Sequence, residues 1–267
     1  MSTGIGIIGG FALLITAVFM GGGITVFLNL EAVMITLGGT LAATLISYPL
    51  DRLLKFFTLA VQLFKDEQRT VFEQTVSRLV ALGQKASQDT IFSLEKEAKN
   101  EKNRYLKAGL QLLVQDAPAS KISQRFAVEV EGVRSRHQEG IQLFSFMSRI
   151  APSLGLVGTL IGMINMLRGM SGDVSPETLG PNMAVALVCT LYGCLLAFLL
   201  FLPASEKLRA YSVREQALIL MIREALLLIR QGQTGRDIEE TLNAYLPPKK
   251  RQAIVERLLL SKAGQKR

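Results

Sequence analysis

The stretch APSLGLVGTLIG, Ala151–Gly162, lies inside a long uncharged apolar run, and its reading decides the fold. Leucines alone would cross a hydrocarbon layer more simply, yet this run carries a proline, three glycines and a threonine. On a helix, Pro152, Gly155, Thr159 and Gly162 are spaced three, four and three, so they share one face. Gly158 and Gly162 also fit the small-xxx-small pattern that lets two membrane helices approach closely. The run therefore reads as a membrane helix with one shaped side.

Working outward, four uncharged runs approach the roughly 20 residues needed to cross a bilayer. They cover Gly4–Met20, Leu28–Leu50 (with Glu31 near its start), Ile150–Leu167 and Met183–Leu202. The first lacks the basic start and the A-x-A site of a signal peptide, so it is expected to be a retained span. The chain has 267 residues and a formal charge of +8, and its basic residues are unevenly placed. Sixteen Lys/Arg fall between Arg52 and Arg149 and thirteen between Lys207 and Arg267. Only Arg168 separates the third and fourth runs, and none precedes Arg52. The positive-inside rule then puts both large polar segments, and both termini, in the cytoplasm. That asymmetry accounts for the charge without a nucleic-acid partner. The basic end KKRQAIVERLLLSKAGQKR has two readings, contact with anionic lipid headgroups or a solvated terminus.

The polar segments are helix-forming. RLLKFFTLAVQLF is expected to extend the second span, and TVFEQTVSRLVALGQKA is amphipathic through Val71, Phe72, Val76, Leu79, Val80 and Leu82. Leu106, Leu110, Leu113 and Val114 repeat that pattern before a break at DAPASK, where Pro118 disfavours helix at Ala117. From Ile122 a long helix is expected to run straight into the third span. A further extension follows the fourth span to about Gly232, and DIEETLNAYLPP forms a short helix stopped by Pro247 and Pro248. The expected class is an all-α integral membrane protein with four transmembrane helices and a helical cytoplasmic domain built partly from their extensions. Its expected divisions are 1–50 (two spans), 51–145 (cytoplasmic helices), 146–205 (two spans and a short periplasmic loop) and 206–267 (cytoplasmic C-terminal helices).

The spans hold no carboxylate at mid-depth, the usual mark of an ion path. What they offer is shape. In the fourth span Ala186, Thr190, Gly193 and Ala197 are spaced four, three and four, again one face with one hydroxyl. Two readings of these stripes stand. One is tight helix packing with each threonine bonded to its own i−4 carbonyl. The other is a narrow polar track for a partner helix or an ion. Cys189 and Cys194 have no His or carboxylate neighbours and read as packing residues rather than a metal site. His137, among charges in VRSRHQEG, is expected on an exposed helix face. With no phosphate loop, G-x-S-x-G, HExxH or Cys/His cluster, no enzyme and no cofactor are expected.

APSLGLVGTLIGMINML followed by LGPNMAVALVCTLYGCLLAFLLFLPASEKL resembles the MotA/PomA family of flagellar stator proteins and, more distantly, TolQ/ExbB. GIIGGFALLITAVFMGGG, TLGGT, SLEKEA, YLKAGLQLLVQD and LNAYLPP extend the likeness over nearly the whole chain. The resemblance implies a bacterial inner-membrane protein that forms a ring of five around a single-span MotB/PomB-like partner. That partner supplies the missing membrane Asp, and H⁺ or Na⁺ reaching it turns the ring. Thr159 and Thr190 match the hydroxyl positions of the ion pathway, and Pro152 and Pro203 match two coupling prolines. Gly155, Gly158, Gly162, Ala186, Gly193 and Ala197 then pack against the partner helix. Lys85, Glu95, Lys96 and Glu97 fall in the loop that engages the rotor protein FliG in flagellar members. The chain departs from the family pattern with Ser87 and Gln88 at usually basic positions, Asn29 and Cys189 at positions that are Asp and Thr in sodium-type members, and Phe198 at a common Asn. Three functions stay open on this reading: a flagellar stator subunit, a related ion-driven motor for gliding or envelope energisation, and a non-conducting membrane scaffold.

Overall fold

The computed structural model describes residues 9–10, 12, 16, 19–20, 27–65, 69–169 and 176–245. Among these residues three helices are long and apolar enough to cross a membrane, Leu30–Ser47, Ala119–Gly169 and Gly180–Arg230. Leu30–Ser47 falls within the second expected span, and the other two helices contain the third and fourth. The first, Gly4–Met20, lies largely outside the described residues. Among those residues every regular element is helical.

The chain forms two compact units, and each has its own core. The first comprises residues 1–66 and 136–211. Its helix α1 (Leu30–Val33) begins under the Asn29 side chain, which accepts from the Ala32 N–H at 2.9 Å. A π turn at Met34–Gly38 leads into α2 (Gly39–Ser47). The expected continuous extension of this span does not form. Tyr48 is extended (φ −136°, ψ 138°) because Pro49 follows it, and a separate helix α3 starts at Leu50 and runs to Lys65. The Pro49 ring clashes with a helical residue before it, so apolar periodicity cannot carry the helix through.

Three long helices follow later in the chain, α7 (Ala119–Gly169) and α8 (Pro176–Leu195), the latter passing through a π turn at Leu196–Phe201 into α9 (Leu202–Arg230). The π turn has a local cause. Pro203 has no N–H to give and its ring displaces the carbonyl of Leu199, so the ladder widens, and the Leu202 N–H reaches Ala197. In the first unit Leu53, Leu143, Phe144, Met147, Ala151, Ala197, Phe201 and Ala204 form a buried core. A smaller core joins Ala32, Val185, Val188 and Cys189, with Ile35 and Tyr192 packed against it. His137 is not on an open face as expected: its ring is half-buried, edge-on to Tyr211 at 5.4 Å.

The second unit comprises residues 67–135 and 212–267. It holds α4 (Arg69–Gln88), α5 (Glu95–Asn100), α6 (Arg104–Val114) and α10 (Gly235–Leu242), with the beginning of α7 and the end of α9. The apolar faces read from sequence converge here: Val76, Leu79, Leu82, Leu106, Leu110 and Leu113 are buried with Phe126, Ile222 and Leu226. The break after α6 is sharp, with Asp116 in the left-handed region at φ 51° and its carboxylate 2.9 Å from Arg230. At the other end of α6 the Tyr105 hydroxyl donates to Glu215 at 2.5 Å, and Arg104 bonds both.

Burial and the adjacent Glu215 push the Tyr105 hydroxyl up to about 12. A tyrosine whose folded value lies above its unfolded one stabilises the fold fully below pH 10 and less as pH rises toward 12. The stability advantage of wild type over Tyr105→Phe should therefore shrink by up to about 2 kcal/mol across that window. Thermal midpoints of both proteins in detergent at stepped alkaline pH give the result. An advantage that stays constant would show that the phenol does not titrate in contact with Glu215.

Candidate functional site

The small-residue stripes of the third and fourth spans close on each other. A Cβ added at Gly162 would stand 2.8 Å from both Ala186 Cβ and the Asn182 carbonyl oxygen. One at Gly158 would stand 2.5 Å from Cys189 Cβ and Sγ, and one at Gly155 2.9 Å from the Cys189 carbonyl oxygen. From the opposite helix, a Cβ at Gly193 would lie 2.6 Å from the Ala151 carbonyl oxygen and 3.1 Å from Pro152 Cα. The pairings descend on one helix as they rise on the other, which is an antiparallel seam. Bare Cα atoms are what permit this approach, because any side chain would separate the two backbones. Ala186 and Ala197 are buried, Ala197 beside Ala151 in the core.

The two hydroxyls stand at the edge of that seam. Thr159 Oγ1 and Thr190 Oγ1 are 2.5 Å apart. Thr159 Oγ1 also lies 3.1 Å from the Gly155 carbonyl oxygen and 3.2 Å from that of Ala186, and Thr190 Oγ1 lies 3.4 Å from the Ala186 oxygen. Two carbonyl oxygens thus gather around one hydroxyl pair in an otherwise apolar surface. Thr190 is exposed and Thr159 half-buried, flanked by the exposed Leu156, Leu160, Met163 and Leu187. The cluster can exchange a water or solvate a cation through neutral oxygens, and it carries no charge that would trap one. Pro152 is half-buried inside α7 against Gly193, and Pro203, also half-buried, follows the π turn as the second residue of α9.

A second set of hydroxyls escaped the reading of the sequence. Thr36, Thr40 and Thr44 are fully buried and donate to the carbonyls of Ala32, Thr36 and Thr40 at 2.7, 2.5 and 2.6 Å. Their four-residue spacing is visible in the sequence, but spacing alone does not show that all three face the interior. Each donates its proton along its own helix, so the ladder satisfies itself in an apolar setting. Thr36 also borders an apolar groove of about 230 Å³ with Val33, Leu37, Tyr192, Leu195, Leu196 and Leu200. Both π turns contribute to its walls.

The rotor-loop candidates lie in the second unit. Lys85 bonds Glu97 at 3.0 Å, and Glu97 also accepts from Arg78 at 2.6 Å, while Arg78 reaches Glu101 at 3.3 Å. Lys85 first and Arg78 second hold the Glu97 carboxyl below its usual range. Glu95 pairs with Lys99 at 2.7 Å on the surface, and Lys96 is exposed. Phe92, two positions before the Leu94–Glu95 pair, is 66 % exposed. Arg78 and Glu101 were not singled out from sequence, because only the turn through Ile91–Leu94 brings Arg78 of α4 to Glu97 and Glu101.

Residues 97–221 match the model of the MotA/TolQ/ExbB proton channel family. Chemotaxis protein PomA of Vibrio alginolyticus is 30% identical over 253 residues, 94% of this chain and 97% of that one. Motility protein A of Cereibacter sphaeroides is 32% identical over 93% of this chain and 96% of its own. Among solved structures, a chain of the flagellar MotAB stator complex from Bacillus subtilis superposes with a TM-score of 0.86 at 31% identity, covering 94% of this chain and 97% of that chain.

Proposed function

The chain belongs to the MotA/PomA branch of the MotA/TolQ/ExbB proton channel family, and from that premise we propose that it is a flagellar stator subunit working with a MotB-like partner. The partner crosses the inner membrane once and carries the Asp that this chain lacks. The observation that carries the reading is the Thr159–Thr190 hydroxyl pair at the open edge of a closed glycine seam. An ion leaving water for the partner's carboxylate must exchange solvent oxygens for protein ones. Two hydroxyls and two helix carbonyls provide that exchange without a competing charge. Pro152 and Pro203 free backbone carbonyls beside the seam and let both helices bend as the carboxylate changes charge.

In this reading four helices span the membrane with both termini in the cytoplasm, and five copies surround the partner. The transported ion, H⁺ or Na⁺, is substrate, and no cofactor takes part. Lys96, Glu95 and the Lys85–Glu97 pair face the rotor protein FliG. The test is co-expression with a single-span, Asp-bearing partner, reading ion flux across the membrane and swimming of a stator-deleted host. Flux that needs both chains and the partner's Asp is expected, together with restored rotation. A stable complex that conducts nothing would leave a scaffold, and conduction without rotation would point to a different driven machine.

A further inference from the structure

We infer that Tyr192 is a positioning residue that sets the rotation of the fourth span and thereby holds Thr190 against Thr159. Its hydroxyl donates to the backbone carbonyl of Phe27, just ahead of α1. That oxygen lies ahead of the α1 ladder, and in an apolar layer the tyrosine proton has few alternative acceptors. The ring packs with Val185 and Val188 against Ala32 and Ile35, which joins the fourth span to the second. Tyr192 follows Thr190 by two positions, about 200° around the helix axis. The bond and the hydroxyl pair therefore sit on opposite sides of one helix.

This placement matters because of what the seam does not do. Glycine and alanine surfaces bring the third and fourth spans together but supply few ridges to resist turning about the axis. Cys189, seated against Gly158, is one peg on the seam side. The Tyr192–Phe27 bond is directional and acts at the far side, where a small rotation costs it its geometry. Turning the helix one way carries Thr190 into the seam, and the other way moves it from Thr159. The hydroxyl cluster lies on the opposite face of the helix from Tyr192, so the role assigned to Tyr192 runs through the helix.

The proposal rests on the reading of Thr159 and Thr190 as the ion path for its importance, but its test reads geometry directly. Thr159→Cys and Thr190→Cys are introduced together in a full-length chain carrying Cys189→Ala and Cys194→Ala, assembled with its partner in membranes. Disulfide formation under mild oxidation is then compared with and without Tyr192→Phe. Loss of one interhelical hydrogen bond in a membrane shifts the equilibrium against the aligned state by about threefold to tenfold, and the initial rate of cross-linking per assembled molecule should fall by up to that factor. Tyr192→Trp, whose indole N–H can donate to the same carbonyl, should recover part of it, and it is the arm to read if Tyr192→Phe lowers the protein level. Unchanged cross-linking in Tyr192→Phe, or equal loss in both variants, overturns the proposal. Normal ion flux in Thr159→Val would sink the ion-path reading alone and leave the cross-linking result standing.

Discussion

Gly193→Ala, a single added methyl, is expected to remove most of the protein from the membrane. The methyl carbon would stand 2.6 Å from the Ala151 carbonyl oxygen and 3.1 Å from Pro152 Cα. Both neighbours are backbone, so no side chain can swing aside, and the two helices must part along their length. Separating them also lifts Gly155, Gly158 and Gly162 from their contacts with Cys189 and Ala186. Overpacking of a close-packed interior costs about 1–3 kcal/mol where side chains can yield, and this site lies at or above the upper end. Gly169→Ala is the control: apart from its chain neighbours nothing lies within 4 Å of the added methyl, and it is the last residue of α7, clear of the seam. It should be close to neutral, within about 0.5 kcal/mol, since the methyl meets no packed group and alanine costs a helix less than glycine. Membrane levels and thermal midpoints in detergent compare the two. Equal midpoints would mean that the seam is slack and that the glycines serve another surface.

The seam shows where sequence reasoning works and where it stops. Spacing placed Pro152, Gly155, Thr159 and Gly162 on one face, and did the same for Ala186, Thr190, Gly193 and Ala197, because helical periodicity is a property of the chain alone. That the two faces meet each other, with Gly155 and Gly158 at Cys189 and Gly193 at Ala151, is a matter of antiparallel register between segments more than 30 residues apart. No local pattern encodes that register, so spacing alone leaves both an external helix and a neighbouring span as candidates. The uninterrupted helix Ala119–Gly169 was legible because no proline-preceded break or cap divides it except Pro152, which it absorbs. The break at Tyr48 was also legible in principle, since Pro49 stands in plain view, but apolar periodicity on both sides outweighed it. The π turns were not, because a helix can meet a proline by kinking, breaking or widening its ladder, and nothing local selects the widening before Pro203, while the turn at Met34–Gly38 holds no proline at all. The Lys85–Glu97–Arg78 cluster needed the turn at Ile91–Leu94 before any of its charges could be paired.

Thr159→Val should abolish most ion flux and torque while leaving the protein in the membrane. Valine keeps the β-branched shape and the helix preference of threonine, so the glycine seam has no reason to open. What disappears is one hydroxyl from the group formed by Thr190 Oγ1 and the Gly155 and Ala186 carbonyl oxygens. The two carbonyls remain, yet each already serves its own helix ladder, and Thr190 loses its nearest partner. A passing ion then sheds its solvent with one fewer replacement, at a cost of about 1.4–3 kcal/mol, which is roughly a 10- to 100-fold drop in rate. Thr159→Ser restores the hydroxyl without the methyl and should return most of the flux. Thr190→Val should act in the same direction. The double variant should then be no worse than the poorer single one, because the two hydroxyls act as a unit. Ion uptake by vesicles holding both stator chains, scored against swimming speed and membrane level, decides it. Full activity in Thr159→Val would return these hydroxyls to simple helix packing, in which each threonine does no more than bond the carbonyl one turn behind it.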